Sequence, residues 1–302
     1  MQGSTNMKPQ AAATDEARPV VTGFFDPDTA TVSYVVADPG SGRCAIIDPV
    51  LGFDAASGRT DAAPAERLVE HVEREGLEVE WIIETHAHAD HLSAAPRVRE
   101  RLGGKVAIGR PICAVREVFG KVFNDASASR DPAEDFDHLF EDGEEYRIGG
   151  LKARALHTPG HTPACMTHVI GDAAFVGDTI FMPDVGTARA DFPGGDARRL
   201  YRSIRRILSL PGETRIFVCH DYPPEGRQPA WETTVAEERE NNIHMRDGIS
   251  EEEFVKMRTA RDATLALPRL IIPSIQVNIH AGRLPEPEDN GVRYLKVPLD
   301  VL

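Results

Sequence analysis

Between residues 85 and 91 the chain reads Thr-His-Ala-His-Ala-Asp-His, directly after the apolar run Trp81-Ile82-Ile83. Three imidazoles and a carboxylate packed this closely carry polar atoms that an ordinary core cannot satisfy. A transition metal satisfies them at once, because neutral imidazole and carboxylate are its usual nitrogen and oxygen ligands. The pattern therefore predicts a metal-binding turn at the end of a buried strand, with His86, His88, Asp90 and His91 as its candidate ligands.

Three further polar residues follow apolar strand-like runs. His161 sits in the Pro/Gly turn of Leu156-His157-Thr158-Pro159-Gly160-His161-Thr162-Pro163. Asp178 ends Val176-Gly177-Asp178, and His220 follows the apolar pair that opens Val218-Cys219-His220-Asp221-Tyr222. Each alone reads as a turn or capping residue. Together with the first cluster, and in this order, they predict a built metal site. His71, His138, His168, His244 and His280 have no neighbours at ligand spacing and read as surface or satisfied core residues. His157 reads as structural or as a support for a ligand. Cys165 and Cys219 read as small buried residues whose side chains point away from the site along their strands.

The surrounding pattern alternates strands and helices. A hairpin is predicted from Thr31–Val36 and Cys44–Asp48, joined by Pro-Gly-Ser-Gly. Residues 52–63 read as a surface loop and Ala65–Glu75 as an amphipathic helix with Leu68, Val69 and Val72 on one face. Strand 79–84 delivers the histidine cluster, helix 93–102 follows, and then strand 105–108. Residues 110–142 read as loop with helical pieces. Strands are predicted at 151–157, 165–170, 173–177 and 216–219, and helices at 197–208, 230–243 and 251–265. A last strand is predicted at 274–279. This is an α/β pattern: a lead-in over 1–19, then one domain over 20–302 with a C-terminal helical extension.

Composition narrows the function classes. A net charge of −14 argues against nucleic acid and anionic membrane as partners, since phosphate binding needs clustered Lys and Arg. No apolar run approaches the roughly 20 residues needed to span a bilayer. Residues 1–19 lack the apolar core of a secretory signal and read as a flexible lead-in, with Met7 as an alternative start. The cysteines Cys44, Cys113, Cys165 and Cys219 form no C-x-x-C pair, which fits reduced thiols and a cytoplasmic location.

The ordered set His86-x-His88-x-Asp90-His91, His161, Asp178 and His220 resembles the metallo-β-lactamase superfamily, whose fold is an αββα sandwich with metal at one edge. Within it the chain is similar to the persulfide dioxygenase branch, which includes the bacterial β-lactamase hydrolase-like proteins. The matching stretches are 85–92, 158–165, 177–181, Gly-Thr-Ala-Arg-Ala-Asp-Phe-Pro-Gly-Gly at 186–195, and Cys-His-Asp-Tyr at 219–222. The resemblance implies a single non-haem Fe(II) per chain held by His86, His161 and Asp178. His88, Asp90, His91 and His220 then support those ligands, or form the second metal site of dinuclear relatives. Two imidazoles and a carboxylate on one face leave three octahedral positions open, enough for a substrate thiolate and O2 together.

The implied reaction oxidises the outer sulfur of glutathione persulfide with O2, giving sulfite and glutathione. Arg189 is the first candidate to grip a glutathione carboxylate, because guanidinium holds carboxylate in a bidentate manner, with a structural salt bridge as the alternative. Asp191 is expected to be structural, and Tyr222 to hydrogen-bond substrate. A homodimer or higher homo-oligomer is the expected assembly. The rival reading is a dinuclear Zn(II) thioester hydrolase of the glyoxalase II kind, for which every ligand is also present.

Overall fold

The structure, a computed structural model, describes residues 18–301. The lead-in expected over residues 1–19 falls almost wholly outside the described residues. The first half of the chain forms β1 (Val20–Asp26), β2 (Thr31–Ala37), β3 (Arg43–Ile47), β4 (Val50–Asp54), β5 (Arg59–Asp61), α1 (Ala63–Arg74), β6 (Glu78–Ile83), β7 (Leu92–Ser93), α2 (Ala95–Leu102), β8 (Lys105–Gly109), α3 (Ile112–Val122) and β9 (His138–Phe140). The second half forms β10 (Glu145–Ile148), β11 (Leu151–His157), β12 (Met166–Ile170), β13 (Ala173–Phe175), α4 (Ala197–Ile207), β14 (Arg215–Phe217), β15 (Glu232–Thr234), α5 (Val235–Asn241), α6 (Glu251–Asp262) and α7 (Ile271–Asn278).

Two six-stranded sheets result, in the orders β1-β2-β3-β6-β8-β9 and β10-β11-β12-β13-β14-β15. Period-two alternation decides how they pack. Along β2, Val32, Tyr34 and Val36 face the second sheet, where they meet Phe175, Phe217 and Met166. Val35 faces the other way, into a layer shared with Leu68, Val72, Val98 and Phe119 from α1, α2 and α3. On the far side of the second sheet, Ala174, Ile216 and Val218 pack against Leu200 and Ile204 of α4 and Phe254 of α6. The layers are thus helix, sheet, sheet, helix, as the αββα reading implied.

The elements depart from the expected ones in several places. Residues 52–63 are not a plain loop, because β4 and β5 pair across a turn in which Asp54 accepts from the Ala56 amide and the Ser57 hydroxyl. Helix α5 starts only at Val235, where Thr234 caps it by accepting from the Glu237 amide, and the residues before it form β15. Strands β1 and β10 were not anticipated, although Asp26-Pro27-Asp28 and Gly149-Gly150 mark turns after them, and the segment 110–142, expected as loop with helical pieces, also holds strand β9. The strand expected at 274–279 is instead the end of helix α7, with Ile271 and Ile275 one turn apart in the core. A short apolar run does not by periodicity alone distinguish the two.

The candidate ligands lie at one edge of this sandwich. His86 follows β6, His161 follows β11, Asp178 follows β13 and His220 follows β14. The C-terminal ends of β11, β13 and β14 point the same way, since β11 and β13 each pair antiparallel with β12, and β13 pairs parallel with β14. Among the described residues no helix is long and apolar enough to cross a membrane.

Candidate metal centre

Asp48 organises the histidine cluster. It stands at positive φ just after β3 and accepts from the Thr85 amide (2.7 Å), the Thr85 hydroxyl (2.8 Å) and His88 Nε2 (2.9 Å). Its carboxyl stays below the usual range: burial works against the charge, but His88 and the hydrogen bonds outweigh it. Because the Thr85 hydroxyl already donates to Asp48, its oxygen accepts from His86 Nδ1, 3.1 Å away. The His86 proton therefore sits on Nδ1, and the Nε2 lone pair faces the site. Burial, and then the neighbouring His88 and His161, hold His86 well below the usual imidazole range, in the neutral form a metal requires.

His161 is set in the same way, with Nδ1 donating to the Arg189 carbonyl at 2.9 Å and Nε2 free to face Asp178. Oδ2 of Asp178 lies 3.6 Å from His161 Nε2 and 4.0 Å from His86 Nε2. The three ligand atoms all fall within 4.8 Å of one another. Two imidazoles and one carboxylate thus converge on one point.

The remaining four candidates form a second arrangement beside it. His91 and His220 both turn Nδ1 to the Thr31 hydroxyl at 3.3 Å, which aims both Nε2 atoms inward. His220 Nε2 lies 3.4 Å from Asp90 Oδ2 and 3.2 Å from Asp178 Oδ1. His88 turns Nε2 away, to Asp48 at 2.9 Å and Glu84 at 3.4 Å, leaving Nδ1 toward the site. Burial disfavours charge on His88, yet these two carboxylates raise it well above the ordinary value.

The test of whether a metal fits is what these atoms lack. His86 Nε2, His88 Nδ1, Asp90 Oδ2, His91 Nε2, Asp178 Oδ1 and His220 Nε2 are all buried without a hydrogen-bond partner. Native interiors rarely leave one such atom unpaired, let alone six that converge. A bound metal, with its coordinated ligands, is the group that satisfies them.

The site opens into a cavity of about 550 Å³ walled by Asp178, Phe181, Arg189, Tyr222, Arg261 and Arg269. Arg189 reaches this wall, but its guanidinium is already bonded: Nε and Nη2 donate to the two Asp191 oxygens, and Nη1 donates to the Ala266 carbonyl. Arg261 and Arg269 make no salt bridge among the described residues. Tyr222 is half exposed and stacks on His220, with ring centroids 5.7 Å apart.

The other expectations divide. His71, His138, His168, His244 and His280 stand outside the ligand clusters; His168, for instance, accepts or donates only to Tyr146. His157 ties its turn together through the Pro163 carbonyl at 2.8 Å. Cys165 and Cys219 are both buried, but Cys219 does not point away from the site. Its sulfur lies 3.6 Å from Asp48, behind the metal ligands. Burial raises both thiols, Cys165 to about 12, so both remain protonated. Asp48 and Glu84 were missed, although Asp48 ends an apolar strand just as Asp178 does. Thr31 and Asn278 had no sequence signal.

Comparison with known proteins agrees with this geometry. The metallo-beta-lactamase superfamily model matches residues 26–220. The chain is 58% identical over 292 residues to a probable metallo-hydrolase of Burkholderia pseudomallei, covering 93% of this chain and 99% of that one. It is 54% identical to a beta-lactamase hydrolase-like protein of Xylella fastidiosa, covering 94% of this chain but only 65% of the longer relative. It is 30% identical to the human mitochondrial persulfide dioxygenase ETHE1, over 86% of this chain and 87% of that one. The crystal structure of ETHE1 from Myxococcus xanthus superposes with a TM-score of 0.69 at 29% identity, covering 87% of this chain and all of that one.

Proposed function

The chain belongs to the metallo-beta-lactamase superfamily, and from that membership and the geometry above we propose that it is a glutathione persulfide dioxygenase working at one Fe(II) per chain. The observation that carries this reading is the triad of His86, His161 and Asp178, two imidazoles and a carboxylate within 4.8 Å of one another, of which His161 and Asp178 line the cavity. This donor set suits non-haem iron. Bound there, Fe(II) supplies redox electrons and open positions at which O2 and a sulfur anion can be neighbours. Similarity to two proteins named ETHE1 supports the same reading.

The overall reaction balances as glutathione persulfide plus O2 and water giving glutathione, hydrogensulfite and a proton. The outer sulfur is oxidised, O2 is reduced, and the sulfur–sulfur bond is broken by water. The chain's own contribution is placement. The hydrogen bonds from Nδ1 of His86 and His161 fix the two imidazoles. Phe181 and Tyr222 give the cavity an apolar wall beside the metal ligands. The tripeptide's two carboxylates need cations, and Arg261 and Arg269 meet that need, because Asp191 already occupies the Arg189 fork.

One observation favours a second reading, a dinuclear zinc thioester hydrolase. Asp90, His91 and His220, with the outer oxygen of Asp178, offer a second set of unpartnered donors, and the Burkholderia relative is named a metallo-hydrolase. Oxygen uptake with glutathione persulfide, run beside hydrolysis of a glutathione thioester and metal analysis, separates the two. The expected result is O2 consumption with sulfite formation at about one iron per chain. Thioester hydrolysis with two zincs and no O2 uptake by the iron-loaded protein would overturn the proposal.

A further inference from the structure

The backbone between β6 and β7 carries His88, Asp90 and His91 without any ladder to hold it. Its carbonyls and amides have to find partners elsewhere. One side chain supplies three of them. Asn278, buried at the last residue of α7, donates through Nδ2 to the His88 carbonyl at 2.9 Å and to the His91 carbonyl at 2.7 Å. Its Oδ1 accepts from the Ser93 amide at 2.8 Å. Both Nδ2 protons and the amide oxygen are therefore used on a single stretch of six residues.

The chain beyond α7 presses on the same place. Gly282 has φ +81, and a Cβ there would stand 2.7 Å from the Ser93 carbonyl oxygen. Ser93 in turn donates from its hydroxyl to Glu84, whose other oxygen lies 3.4 Å from His88 Nε2. A continuous set of buried contacts thus runs from α7 through the loop to the His88 ring. Residue 278 also lies outside the segment matched by the superfamily model.

We propose that Asn278 is a positioning residue for the metal centre: by bonding both ends of the ligand loop, the C-terminal helix fixes where His88, Asp90 and His91 stand. The assignment holds for either metal: with two, the loop residues are ligands, and with one they pack around it, the His88 ring centroid lying 4.0 Å from that of the ligand His86. Partners that orient ligands typically govern 10–100-fold of metal affinity.

The experiment uses the full chain, with Co(II) as the probe. Asn278→Asp keeps the shape and the acceptor for Ser93 but removes both donors and sets a negative oxygen against two carbonyls. Asn278→Ser keeps one donor and serves if the aspartate variant does not fold. Gln276→Ala, on the same helix, loses bonds to Lys296 and to the Ile272 carbonyl, none of them in the ligand loop, and is the control. The expected result is a roughly 10–100-fold weaker Co(II) affinity in chelator competition for Asn278→Asp, less for Asn278→Ser. The cobalt visible spectrum is expected to change in both and in neither respect for Gln276→Ala. Folded Asn278 variants with wild-type affinity and an unchanged cobalt spectrum would overturn the proposal, as would an equal loss in Gln276→Ala.

Discussion

Asp178 and His220 face each other across the site, with Oδ1 of the carboxylate 3.2 Å from Nε2 of the imidazole and neither atom hydrogen-bonded. The other oxygen, Oδ2, belongs to the His86 and His161 side. Asp178 is thus the one residue shared by both donor arrangements. For a single iron at the His86 side, Asp178→Ala or His86→Ala is expected to abolish metal retention after dialysis. His220→Ala is expected to keep most of the metal. Metal analysis of the three variants checks this, and equal loss in all three would instead indicate a two-metal site.

The cavity wall separates a structural arginine from two available ones. Removing a charged hydrogen-bond partner from a substrate typically costs about 1.5–3 kcal/mol, and because Arg261 and Arg269 are exposed in the free protein they fall at or below the lower end. Arg261→Gln and Arg269→Gln are each expected to raise KM for glutathione persulfide about tenfold with kcat little changed, the pattern of lost ground-state binding. Arg189→Gln breaks the fork to Asp191 and the bond to Ala266, so its main effect is expected on stability, read by urea unfolding.

How the sequence discloses this site follows from its geometry. His86, His161, Asp178 and His220 are local signals: each is a polar residue closing an apolar strand, and their order in the chain matches the order in which strands reach one edge. The αββα layering follows from alternation in strands such as β2 and from apolar stripes such as Leu68, Val69 and Val72 in α1. What stayed hidden depends on register between distant elements. Asn278 is 187 residues from His91, and its role depends on α7 being a helix and on which face it turns to the loop. The bonding of Arg189 was open in the sequence, where a salt bridge and a substrate contact read equally well, and the fork to Asp191 decides it.

Glu238 predicts a pH dependence away from the metal. Burial, little offset by its hydrogen bond from Asn242, raises its carboxyl to about 8. The folded state therefore holds this proton over a range where the unfolded chain has released it. Its contribution to stability is full below the ordinary carboxyl value near 4.5 and is lost as pH rises through about 8. Glu238→Gln keeps an acceptor for Asn242 but cannot ionise. Relative to wild type it is expected to gain on the order of a few kcal/mol between pH 5 and pH 9, measured by urea unfolding at both. An unchanged difference between the two proteins across that range would count against a buried neutral Glu238.

Gly160 tests how the turn before His161 is held. Its φ is +147, and a Cβ would come within 2.3–2.5 Å of the backbone and Cβ of Leu200 in α4. The turn is also fastened to that helix, since the Asp196 amide donates to the Gly160 carbonyl at 2.8 Å. Neither partner can yield cheaply, because Leu200 is fully buried against the second sheet. Gly143 is the comparison: its φ is +78, but nothing lies within 4 Å of its absent Cβ. Gly143→Ala is therefore expected to cost only about 1 kcal/mol, from backbone conformation alone. Gly160→Ala adds a steric clash of the overpacking kind, expected to bring the loss to about 2–4 kcal/mol. It also pushes His161 away from Asp178. Metal affinity should therefore fall in Gly160→Ala and stay unchanged in Gly143→Ala, even when both are measured at temperatures where each is fully folded.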